Sequence, residues 1–339
     1  MSETFAPPDI AIDRRVDGTI LLRSRRPLPD SEPSITAVLR KRAAQHPDRP
    51  LAAHGGATLT YGEAQQRSDA LARAFAELGL GPDKPVMILS GNSLEHLLVS
   101  LGAYAAGAPA MPISVAYSLM SKDHARIRAI AQLTEPGLVF ADDAGPFGAA
   151  LDALALDNVL VARGEREGAL RLDAMWESAA HDHSPLDGDP GPDAIAKLLF
   201  TSGSTGTPKG VINTHRMLCS DQAMIATAWP FLADEPPILV DWLPWSHTFG
   251  GNHNLNLALF NGGTIHIDDG RPVPPLFPRT LAALNEVPPT LYFNVPAGYA
   301  LLAPALESDP ALATRFFSRL RFMFYAAGAP AMPISVAYS

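Results

Sequence analysis

The chain has 339 residues, of which 47% are apolar, with 26 basic and 35 acidic side chains and a formal net charge of −9. That apolar content supports one large or two ordinary packed domains and excludes a disordered polymer. The acidic balance speaks against a nucleic-acid binder, which carries a basic face. The single cysteine, Cys219, excludes an internal disulfide framework. It reads as a half-buried helix residue rather than a nucleophile.

From the N-terminus, residues 1–17 lack the basic segment and apolar core of a secretory leader. No run of about 18 apolar residues is present to span a membrane. The expectation is therefore a soluble cytoplasmic protein with neither nucleic-acid nor membrane partners. Arg23, Arg25 and Arg26 read as a solvated turn. Ile35, Val38, Leu39 and Ala43 predict a helix over residues 34–45, stopped at His46-Pro47. Thr60 and Glu63 form a capping-box pattern before a helix striped by Ala64, Leu71, Phe75 and Leu78. Strands follow at residues 86–89, 110–113, 138–141 and 159–162, separated by helices at 93–106 and 121–133. This alternation predicts an α/β fold with a mostly parallel sheet.

Residues 181–192, rich in Asp, Pro and Gly, read as a surface linker. A buried strand over 195–200 then runs into Thr201-Ser202-Gly203-Ser204-Thr205-Gly206-Thr207-Pro208-Lys209-Gly210. The glycines allow a tight turn that aims backbone N–H groups at an anion. The hydroxyls add donors and Lys209 adds a full charge. The set describes a polyphosphate cradle, although Pro208 stands where a Walker loop needs its second glycine. The competing reading is a polar surface loop with a chance lysine. Further strands are predicted at 211–213, 238–242, 264–267, 291–294 and 322–325, with helices at 217–228, 277–286 and 298–306. Two packed α/β subdomains are expected, residues 1–190 and 191–325. The ligand would lie in their crevice, at the carboxyl ends of the strands.

The decapeptide T-S-G-S-T-G-T-P-K-G resembles the phosphate loop of the adenylate-forming (AMP-binding) synthetases and ligases. Residues 86–93, 211–220 and 241–254 are similar to segments of the feruloyl-CoA synthases within that family. The resemblance covers residues 17–325 or so. It implies the large N-terminal domain of these enzymes and an acid–CoA ligase chemistry. An aromatic, ferulate-like carboxylic acid would be activated with ATP and Mg²⁺ through an acyl-adenylate, then passed to coenzyme A. Thr201, Ser202, Gly203, Ser204, Thr205, Gly206, Thr207 and Lys209 would hold the nucleotide. The sequence displays no acidic metal cage, and its ten histidines form no zinc pattern.

The resemblance also puts His247, in Leu243-Pro244-Trp245-Ser246-His247, beside the acyl pocket. From residue type alone, a core histidine is the simpler reading. Phe249 and Gly250 are candidates for the acid pocket, and so, by resemblance to the strand-to-helix turn that walls it in the family, are Asn294, Pro296 and Tyr299, with Phe249 and Tyr299 able to face an aromatic ring. For residues 292–299 an ordinary strand end is the alternative. His215, His253 and His266 read as structural or surface residues. The family's Thr-Glu motif, ribose-binding Asp, hinge and small lid domain do not follow Tyr325. Thioester formation is therefore expected to fail in this chain, and adenylation to be weak or lost. A non-catalytic nucleotide-binding remnant is the alternative. Finally, residues 104–118 recur letter for letter as 325–339. One string does not suit both settings, so residues 326–339 read as a non-native tail joined at a short similarity.

Overall fold

The computed structural model describes residues 3–179, 189–202 and 208–326. The expected linker therefore lies mostly, and the C-terminal repeat after Ala326 wholly, outside the described residues. A hairpin, β1 (Ile10–Arg14) and β2 (Ile20–Ser24), opens the chain. Arg23 lies in its second strand, Arg25 pairs with Asp9, and Arg26 donates to Pro7 O.

Helix α1 (Ile35–Gln45) begins where Ser34 accepts the Ala37 N–H, an ordinary N-cap. Strands β3 (Pro50–His54) and β4 (Ala57–Thr60) form a hairpin that was not read in the sequence. Gly55 and Gly56 supply its left-handed turn, with φ of 56° and 84°. The Thr60–Glu63 capping box starts α2 (Tyr61–Glu77). There follow β5 (Val86–Leu89), α3 (Leu94–Ala105), β6 (Ala110–Pro112) and a short α4 (Val115–Leu119).

The helix expected over 121–133 is α5 (Ala125–Thr134). Its first turn is displaced because Ser121 and Asp123 accept the N–H groups of His124 and Ala125, and His124 sits at φ 51°. Next come β7 (Leu138–Asp143), α6 (Ala144–Leu154), β8 (Val159–Arg163), β9 (Leu170–Arg171) and α7 (Leu172–Ala179). The second half holds β10 (Ile195–Ser202), β11 (Pro208–Thr214), α8 (His215–Ala228), β12 (Ile238–Asp241), a π-helix (Phe249–Asn254) and α9 (Leu255–Phe260). It continues with β13 (Thr264–Ile267), α10 (Phe277–Glu286), β14 (Leu291–Asn294), α11 (Pro296–Ser308), α12 (Pro310–Phe317) and β15 (Phe322–Tyr325).

The larger sheet has the order β11-β10-β6-β5-β7-β8-β9, parallel except for the β10–β11 pair. The smaller has the order β12-β13-β3-β4, with a parallel pair β14–β15 beside it. Thr290 fastens that pair to β12 through Ile238. Both faces of the large sheet are covered by helices, so β5 is apolar at every position and wholly buried.

The two sheets correct the expected division at residue 190. β10 and β11 join the sheet built by the first half, whereas β3 and β4 join the sheet built by the second. The physical reason is pairing: β10 finds the open edge of β6, and β3 finds β13. Because the strands interleave, α1, α3 and α9 pack into one continuous core between the sheets. Cys219 lies fully buried in α8, not half-buried, and burial pushes its thiol up to about 12.

Candidate functional site

The carboxyl ends of β5 and β6 face those of β12 and β13 across a cleft of about 230 Å³. Ser90 and Asn92 border it from one sheet, and Trp242, Trp245 and Asp268 from the other. In parallel α/β sheets this is where ligands gather, because the crossovers leave that end open.

The turn between β12 and the π-helix forms the cleft's most constrained wall. Asn92 Oδ1 accepts the Trp245 N–H at 3.0 Å, and its amide donates to Leu243 O at 2.9 Å. Asp241, at the end of β12, accepts from Leu243 N and from the Asn254 amide, closing the turn upon itself. The Asp241 carboxyl is fully buried, and burial raises it from an ordinary 3.8 to about 7. Its Oδ2 has no partner among the described residues. Gly250 and Gly251 pack directly on this turn. A Cβ at Gly250 would sit 2.3 Å from Leu243 O, and one at Gly251 would sit 2.3 Å from Trp245 O.

His247 projects from the same turn and is exposed. Its backbone is held at both ends, by Pro244 O and by the Gly251 N–H, and its Nδ1 accepts the Phe249 N–H at 3.4 Å. With Nδ1 turned to that backbone N–H, Nε2 is left to donate and has no partner among the described residues. A carboxylate oxygen is the natural acceptor for that proton.

The remaining candidates fall in different places. Asn294 is 1% exposed, and its oxygen accepts from Trp242 Nε1 at 3.2 Å, so it orients the indole instead of facing solvent. Pro296 opens α11 as expected for a first helical position. Gly298 lets α11 lie against the Asn294 side chain, 2.1 Å from where a Cβ would be. Phe249 is buried, edge-on to His253 and Phe324 within an aromatic cluster. Tyr299 is 7% exposed, and its hydroxyl lies 2.8 Å from Tyr292 O and 3.0 Å from Phe324 O, where it donates to backbone carbonyls. Its ring serves the core beneath β14. His215 and His253 are structural, as read. His215 Nδ1 accepts the Ile35 N–H, and His253 stacks on Phe324.

On the other side, Thr201 and Lys209 face each other across the β10–β11 pair, and both are exposed. The Ser202 side chain and Gly203, Ser204, Thr205, Gly206 and Thr207 lie outside the described residues. Two exposed residues of opposite arms, one hydroxyl and one ammonium, are suited to an anion presented at the end of the hairpin. Among the described residues no group of three or more His, Cys, Asp or Glu is placed to hold a metal ion.

Several polar residues behind the site were not singled out in the sequence: the half-buried Asn92 and the buried Lys197, Asp241, Asn252 and Asn254. The available signals were a lysine inside an apolar strand and asparagines repeated at 252 and 254. Among the described residues no helix is long and apolar enough to cross a membrane.

Among curated proteins, a sulfoacetate–CoA ligase of Cupriavidus necator is 34% identical over 198 residues, which cover 57% of this chain and 37% of that protein. A feruloyl-CoA synthase of an Amycolatopsis species is 28% identical over 267 residues, covering 78% of this chain and 49% of the relative. The chain thus spans half or less of the length of these relatives. Among solved structures, an anthranilate CoA ligase in complex with anthranoyl-AMP superposes with a TM-score of 0.73 at 19% identity, covering 90% of this chain and 56% of that one. The N-terminal domain of FACL13 from Mycobacterium tuberculosis superposes at 0.70 with 21% identity, covering 87% of this chain and 70% of that one. These structures share the fold. The family described as AMP-binding enzyme matches residues 39–338, nearly the whole chain, and the chain belongs to it.

Proposed function

We propose that this chain binds ATP and an aromatic carboxylic acid side by side and acts as part of an ATP-dependent acid–CoA ligase. Lys209, Thr201 and the intervening residues 202–207 would hold the nucleotide phosphates, with Mg²⁺ carried on them. Bound ATP supplies an activated α-phosphorus and a pyrophosphate leaving group. The chain's own part is positioning and charge stabilisation, which are the main tools of phosphoryl chemistry. His247 Nε2 would donate to the acid's carboxylate and orient it. Coenzyme A would be the final acceptor of the acyl group in the whole protein.

The observation that carries this reading is the exposed, backbone-locked His247 on a turn tied to the same hairpin that presents Lys209. An aromatic wall favours a flat acid: Trp242, half-buried at the cleft, has its indole held by Asn294. The likeness to a feruloyl-CoA synthase and to an anthranilate CoA ligase supports an aromatic substrate. The likeness to a sulfoacetate–CoA ligase offers the competing acid class. Thermal melting separates them, because a ligand that binds only the folded chain raises its Tm. Ferulate with Mg-ATP is expected to raise Tm above Mg-ATP alone, and sulfoacetate to leave it unchanged. The reverse pattern would overturn the aromatic assignment.

A further inference from the structure

The hairpin and the acid-side turn meet through one chain of buried polar groups. Lys197, in the middle of β10, is 3% exposed. Its ammonium donates to Gly251 O at 3.0 Å and to Asn252 Oδ1 at 3.1 Å. It makes no ion pair with the described residues, and burial alone lowers its pKa from 10.5 to about 7. A buried ammonium without a carboxylate is costly, and a methionine would fill the same space without that cost. Asn252 passes the contact on. Its amide donates to Asn213 Oδ1 at 2.9 Å and to Thr248 Oγ1 at 3.2 Å. Its backbone oxygen accepts from Gln222 of α8.

Asn213 lies on β11 directly opposite Lys197 on β10. Both arms of the hairpin therefore grip a single residue of the π-helix. π-helical turns are uncommon and concentrate at functional sites. Here the wider turn presents Asn252 to the hairpin while Thr248, one residue past His247, hangs from its side chain. The side-chain oxygen and both amide hydrogens of Asn252 are used, so a displacement of either strand is passed to the turn.

Resting on the reading above, we propose that Lys197, Asn213 and Asn252 are positioning residues that couple nucleotide on the β10–β11 hairpin to the setting of the acid turn at Thr248 and His247. Coupling of this kind is reciprocal: whatever factor nucleotide adds to acid affinity, the acid adds to nucleotide affinity.

The test is calorimetry on the full chain with ferulate and the non-reacting analogue α,β-methylene-ATP, each titrated with and without saturating amounts of the other. Wild type is expected to show coupling of about fivefold or more in both directions, the lower end of ordinary couplings. In Lys197→Met each ligand alone should bind within about threefold of wild type, while the coupling falls below about twofold. A residue that merely fills space would not lose coupling while keeping both affinities. Asn213→Ala, at a half-exposed position, should behave the same way and carries the test if Lys197→Met does not fold. Wild-type coupling in the folded variants, or ligands that bind the wild type independently, would overturn the inference alone. A wild-type chain that binds neither ligand would overturn the functional reading, and the inference with it.

Discussion

Asn92 and Trp245 are joined across the two sheets by a backbone N–H of one and a side-chain oxygen of the other, 3.0 Å apart. With the second bond to Leu243 O, the asparagine replaces two backbone partners that a turn at this place lacks. Asn92→Ala is expected to cost about 1–3 kcal/mol, the usual penalty for stranding a buried polar group. Denaturant unfolding measures it. Acid affinity should fall further than nucleotide affinity, since the turn and not the hairpin is released.

The two glycines of the π-helix make a sharper prediction. A methyl group at Gly250 or Gly251 meets a main-chain oxygen at 2.3 Å, which no rotamer change relieves. Gly250→Ala and Gly251→Ala should each destabilise by about 1–3 kcal/mol or more, as overpacking does. Thermal melting reads this directly. Gly148, which has open space around it, is the control position for an alanine without a clash.

Asp241 gives the pH dependence. Its folded pKa, about 7, lies above the ordinary 3.8 because the carboxyl is buried. Between those values the folded chain keeps a proton that the unfolded chain has released, so stability falls as pH rises through that window. Below about 4 both states are protonated and above about 7 both are charged, and this contribution is then flat. Asp241→Asn keeps both accepted hydrogen bonds without the charge. Its Tm advantage over wild type should open between pH 4 and 7 and stay constant above. Melting curves at pH 5, 6, 7 and 8 would show it, and a difference independent of pH would contradict the assignment.

His96 works in the opposite direction. It is fully buried against Trp245, with Nδ1 at 2.9 Å from Gly91 O, and burial lowers its pKa from 6.5 to about 4. The unfolded chain gains a proton first as pH falls, so this residue removes stability between about 6.5 and 4. His96→Gln should flatten that acid-side loss in the same melting series.

Much of the molecule was legible beforehand. The capping box at Thr60 and Glu63, the buried strand β5, the parallel alternation and Pro296 at the head of α11 are all local signals, and the chain obeys them. What escaped is non-local. Nothing near Leu51 says that β3 pairs with β13 more than two hundred positions away, so the division at residue 190 follows the chain and not the sheets. The site has the same character. His247 and Lys209 were visible as motifs, whereas Asn92, Lys197 and Asn252 matter through partners on other elements. Tyr299 and Phe249 were expected to be able to face an acid's ring, and their packing on β15 could not be seen in the sequence: Phe324 packs on Phe249, and its carbonyl accepts the Tyr299 hydroxyl.

The central claim, that this chain brings ATP and an aromatic acid together for activation, is tested most directly by exchange of labelled pyrophosphate into ATP with ferulate as the acid. The account predicts exchange that requires ferulate, is slow, and disappears in Lys209→Ala while that variant stays folded. Exchange indifferent to ferulate or to Lys209, or none at all in the wild-type chain, would contradict it.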